Sequence, residues 1–133
     1  MTRRSVWAVF AGMLVGGGAN LLASILLRIC VPSVFGPTGR VEDTGVLALA
    51  TAYGFVFGVC GFYVTARLAP RLPRAHVAIL ALLGLILGAA GSLLLWKMAP
   101  PWYHWVNLAQ IPPAAWLGLR WYGARLRRRT ARN

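Results

Sequence analysis

The sequence predicts an all-α polytopic membrane protein, a four-transmembrane-helix bundle with both termini cytoplasmic. Three observations lead there. The first is composition: 59% of the 133 residues are hydrophobic and only 12% are charged, against about 25% charged in water-soluble domains. Such a chain has too few polar groups to cover itself in water, and by length it is one domain, spanning 1–133. The second is the presence of four apolar segments, at about 5–30, 46–66, 75–96 and 102–119; a span needs roughly 20 such residues. The third is the placement of basic residues. With the N-terminus inside, Arg3, Arg4, Arg67, Arg71, Arg74, Arg120, Arg125, Arg127, Arg128, Arg129 and Arg132 are cytoplasmic, eleven in all, and only Arg28, Arg40 and Lys97 lie outside. Short loops rich in Lys and Arg stay in the cytoplasm.

The first span follows Arg3 and Arg4 and stops before Pro32, since proline cannot continue a helix. Its start resembles a signal peptide, with Gly17-x-Ala19 as a cleavage site. The apolar run reaches Ile29, however, well past a signal core of ~7–15 residues, so an uncleaved span is expected. The Pro- and Gly-bearing stretch VPSVFGPTGRVEDTG reads as an irregular outer loop, with Val34 and Phe35 dipping into the interface. The second and third spans are joined by the short inner loop RLAPRLPRAH and must be antiparallel neighbours. MAPP then turns into the fourth span, which should kink at Pro112 and Pro113. Trp96, Trp102, Tyr103 and Trp105 mark one interface and Trp7, Trp121 and Tyr122 the other. The tail at 120–133 is expected to touch anionic lipid headgroups.

Helices in lipid associate through close backbone approach and hydrogen bonds, because neither side gains by leaving hydrocarbon. Gly12 and Gly16, Gly54 and Gly58, and Gly84 and Gly88 place G-x-x-x-G pairs on three spans. These faces serve either packing within the chain or association with another copy. The first pair continues at four-residue intervals through Asn20, Ser24 and Arg28. Asn107 and Gln110 on the fourth span offer hydrogen-bond partners for Asn20. Asn20, Ser24, Asn107 and Gln110 thus form an expected intramembrane polar cluster, with Arg28, Lys97 and His104 at its outer rim; Glu42 or Asp43 is a candidate partner for Arg28. The cluster is either structural glue or the lining of a small-solute or ion path.

Several chemistries are disfavoured. Cys30 and Cys60 should differ too much in depth for a disulfide, and His76 and His104 lie near opposite faces, so no metal or cofactor site is expected. No acid–base or nucleophile set can converge, which argues against an enzyme. Both acids, Glu42 and Asp43, sit in the outer loop; proton-coupled carriers usually keep a carboxylate within a span. Small multidrug exporters have such a glutamate in their first helix, and this chain does not. The net charge of +12 lies in short loops and a tail without an aromatic stacking platform, so nucleic acid is not an expected partner.

The second span running into TARLAPRLPRAH, the turn PPWYHW and the last span with PPAAWLG resemble small bacterial inner-membrane proteins of four spans and no assigned activity, over roughly residues 46–119. The resemblance implies a multi-pass protein of the bacterial inner membrane and supplies no site residues. The function expected is that of a non-catalytic structural or accessory membrane subunit, associating through its small-residue faces as a homo-oligomer or in a larger complex. The alternative is a small oligomeric permease or channel.

Overall fold

A computed structural model describes residues 3–131, so Arg132 of the basic tail lies outside the described residues. All regular elements among these are helical: α1 (Arg3–Met13), a π-helical segment (Leu14–Gly18), α2 (Ala19–Cys30), α3 (Thr44–Leu68), α4 (Pro73–Leu94), α5 (Pro101–Ala109) and α6 (Ile111–Thr130), with short 3-10 turns at Pro32–Val34 and Trp96–Met98. Three rods are long and apolar enough to cross a membrane: Arg3–Cys30, Thr44–Leu68 and Pro73–Leu94. The fourth, α5 with α6, falls short of that standard. It breaks at Gln110, one residue before α6 begins, and the Pro112–Pro113 pair falls in the first turn of α6. There the missing N–H groups cost nothing. The expected proline kink is therefore a helix end followed by a new start, and α6 continues as helix through Thr130, well into the basic tail.

Local chemistry sets the ends. Pro32 stops the first rod. The Asp43 side chain accepts the Val46 N–H at 2.9 Å and caps α3. Leu72 precedes Pro73 with φ of 50°, a left-handed conformation that turns the chain sharply into α4. The loop at 31–43 is tied down by one bridge between Phe35 and Val41, and Phe35 packs with Val41, Leu47 and Ala99.

Consecutive rods run antiparallel, so 31–43 and 95–100 share one end of the molecule, the loop end, and 69–72 marks the basic end. α3 is central and contacts α1, α2, α4, α5 and α6. Its main core lies toward the basic end and joins Val9, Phe62, Ala66, Val77, Leu80, Ala114 and Ala115. Size is inverted relative to a water-soluble protein. Ala8, Thr65, Ala66 and Val77 are the most buried side chains, while Leu93 and Leu94 are 77% and 84% exposed. Small residues inside and large apolar ones outside suit a lipid solvent.

Candidate functional site

A single seam joins the first rod to α3. A Cβ on Gly12 would strike Thr65 Oγ1 and come within 2.6 Å of the Gly61 carbonyl; one on Gly16 would lie 3.2 Å from the Phe57 carbonyl. One turn on, a Cβ at Gly54 would stand 3.3 Å from Asn20 Oδ1 and 3.6 Å from Gln110 Nε2. Ser24 donates to the Asn20 carbonyl at 2.9 Å and so accepts from the Tyr53 hydroxyl, also at 2.9 Å. Gly12, Gly16, Asn20 and Ser24 thus meet α3 in order. An α-helix turns about 100° per residue, so a four-residue step overshoots by ~40°. The wider π turn at Leu14–Gly18 takes in an extra residue and absorbs that drift.

The remaining glycines divide. Gly84 and Gly88 face side chains at the α5–α6 junction, with Ile111 Cδ1 at 3.8 Å and Leu108 Cδ2 at 3.0 Å from their respective Cβ positions. Gly58 faces Ala114, while a Cβ at Gly118 would come within 2.7 Å of Phe62 Cβ and 3.0 Å of the α3 backbone. Gly61 and Gly118 are thus among the tightest contacts. Gly118 has no glycine at a four-residue interval, which hides it from a motif search, and Gly61 falls outside the G54-x-x-x-G58 frame.

Beyond this seam the helices part. α1 packs on α4, but α2 buries no residue, and no comparably extensive packing joins it to α4. Between them lies an open cleft of about 430 Å³ that reaches the loop end, lined by Asn20, Ser24, Tyr53, Ser92, His104 and Asn107 among apolar groups. A second cavity of about 420 Å³ shares Asn20, Gly88 and Asn107 with it, adds Gln110, and runs on to Gly61 and Leu80, where the main core closes it. Of the expected polar cluster, Asn20 and Asn107 line both spaces, Ser24 the first and Gln110 the second. Tyr53 belongs with them; its signal in the sequence is a hydroxyl placed deep inside a span, away from both aromatic belts.

The hydrogen bonding differs from expectation. Asn20 does not bond Asn107 or Gln110. Gln110 Nε2 donates to Asn107 Oδ1 at 2.9 Å, and Asn107 Nδ2 to the Tyr103 carbonyl at 2.8 Å, so both amides donate within their own stretch of chain. Gln110 Oε1 and His104 Nε2 are buried without a partner. The rim also differs. Arg28 lies over the Phe35 ring at 5.4 Å instead of pairing with an acid. Glu42 pairs with Arg40 at 2.8 Å, and Asp43 is used as the α3 cap. Lys97 is exposed, with its carbonyl 3.5 Å from Arg40 Nη1. His104 stacks on Trp96 with ring centroids 5.0 Å apart and forms part of the cleft wall.

The lining offers hydroxyl and amide donors and acceptors without any Asp, Glu, Lys or Arg. It can hold an uncharged polar molecule by hydrogen bonds. Cys30 is exposed and Cys60 partly exposed, both as free thiols. Among the described residues no group of His, Cys, Asp and Glu is arranged to hold a metal ion. Comparison with known proteins found no family model, curated protein or solved structure that matches the chain.

Proposed function

We propose that this chain is a four-span protein of the bacterial inner membrane, with both termini cytoplasmic, that takes a small uncharged solute into its loop-end cleft as a permease does. The observation that carries this reading is the convergence of Asn20, Ser24, Tyr53 and Asn107 on a cleft of about 430 Å³ free of formal charge. Ligand sites typically measure ~300–1,000 Å³ and combine an apolar wall with a few placed polar groups. The second cavity, which shares Asn20 and Asn107 with the cleft, reaches Leu80 of the main core. The accessory-subunit reading loses ground because Gly12, Gly16, Gly61 and Gly118 are taken up between the chain's own helices.

Topology and transport are tested separately. A reporter fused after Asn133 should be active in the cytoplasm, and one inserted near Thr38 in the periplasm. A periplasmic C-terminus would remove the fourth span from the membrane. For transport, glycerol and urea entry into proteoliposomes is followed by stopped-flow light scattering. Wild type should admit one of them faster than empty liposomes, and Asn20→Leu should lose the effect while melting normally. Equal rates in empty and loaded liposomes for both solutes would defeat the permease reading. Native mass spectrometry showing a stoichiometric partner protein would favour the accessory subunit instead.

A further inference from the structure

A different feature stands at the basic end, where Arg74 at the start of α4 and Arg120 and Arg127 on α6 line one groove of about 520 Å³. Its floor is apolar and aromatic, with Pro73, Trp116, Leu119 and Tyr122. Of the residues from α6, 116, 119, 120, 123 and 127 follow one helical stripe with Tyr122 at its edge, so one side of the helix builds the wall. Arg120 lies over the Trp116 ring at 5.1 Å, which holds its guanidinium at the level of that indole. At Gly123 a Cβ would meet only Arg127 Nη1, at 3.9 Å; Arg127 folds back over bare backbone, and the groove stays open between the two arginines.

Three like charges in one groove repel unless an anion joins them. The chain has two acids, and both are at the far end: Glu42 is paired with Arg40, and Asp43 caps α3. Among the described residues no carboxylate stands near Arg74, Arg120 or Arg127. The first turn of α4 adds a partial positive charge, because Leu72 provides no side-chain cap. No Asp or Glu side chain of the chain reaches this groove, and its apolar floor suits a molecule that is anionic at one end and greasy at the other.

We propose that this groove binds the phosphate headgroup of one anionic phospholipid, with a lipid carrying two phosphates, of the cardiolipin kind, preferred over one carrying a single phosphate. Guanidinium groups match phosphate oxygens in a bidentate fork, and basic pockets between spanning helices on the cytoplasmic side take such headgroups. The site rests on the membrane reading above but does not depend on transport.

The test is native mass spectrometry of the full chain in neutral detergent with trace cardiolipin, where no charged surface adds diffuse attraction. Wild type should retain one lipid. Arg74→Gln with Arg120→Gln should weaken retention about 30-fold, at about fivefold per arginine. The control Arg128→Gln with Arg129→Gln removes the same charge outside the groove and should change retention less than about fivefold. Equal loss in both pairs would overturn the site in favour of diffuse charge. Displacement of the lipid by ~10 mM inorganic phosphate, or by an equimolar single-stranded RNA, would overturn the lipid as occupant. Alkaline carbonate washing of membranes checks membrane insertion independently, so a failed lipid site and a failed membrane reading give different results.

Discussion

The two halves of the first rod use the same kind of sequence for opposite ends. α1 buries Ser5, Ala8, Val9 and Gly12, whereas α2, one π turn later and more apolar, buries nothing. Toward the basic end the backbones of α1, α3 and α6 touch over Gly12, Gly61 and Gly118. Toward the loop end the helices separate, and amides and hydroxyls line the gap. Stability and binding are therefore separated by depth. A tightly packed base leaves the other half free to keep unfilled volume, which a uniformly packed bundle of this size would have no room for.

The comparison breaks most directly at Gly61. Gly61→Leu drives a side chain into the Gly12 carbonyl and the Gly16 backbone, and is expected to abolish monodisperse folded protein on size-exclusion chromatography. Gly12→Ala should fold but lose about 2–3 kcal/mol, the upper part of the usual overpacking range, read from unfolding in mixed micelles. A wild-type midpoint for Gly12→Ala would mean that the base is looser than described. The thiols probe the same contrast kinetically: a membrane-impermeant maleimide added to intact cells should label exposed Cys30 and leave Cys60 unmodified. Tyr53→Phe removes one hydrogen bond from Ser24, which keeps its bond to the Asn20 carbonyl; the expected loss is about 0.6 kcal/mol. The smallest effect is at Gly91, where a Cβ meets nothing within 4 Å. Gly91→Ala should be neutral or gain up to about 1 kcal/mol from helix propensity, and a loss there would show that the cleft is filled.

Much of the helical layout was legible because it follows from hydropathy and from single strong residues. Pro32 and Pro73 mark the ends of rods where the structure has them, and Asn20, Ser24, Asn107 and Gln110 stand out simply as polar groups in apolar runs. Pairing was less legible. Asn107, near the end of α5, and Gln110, at the break after it, are three residues apart and bond each other locally, a possibility that competes with any partner across the bundle and cannot be ranked from spacing. Arg28 had two acids within reach in the sequence, but Asp43 is drawn to the free N–H groups of α3 and Glu42 to Arg40, which is nearer along the chain. The break at Gln110 was displaced from the prolines because proline in the first turn starts a helix as readily as it ends one. Gly118 was missed since a single glycine carries no period; only its neighbours in space reveal its use.

The contact between Gly118 and the Phe62–Tyr63 backbone also has a consequence in time. Its two sides are separated by roughly 56 residues, which take about 3–11 s to synthesise at ~5–20 residues per second. Through that interval α1, α3 and the growing α4 can be in place while the α3 face that receives α6 is covered only by lipid or by whatever accompanies the nascent chain. Substitutions on that face, Gly118→Leu among them, should therefore act at two stages. They lower the yield of assembled protein by prolonging an exposed intermediate, and only in the molecules that complete assembly do they lower the melting temperature.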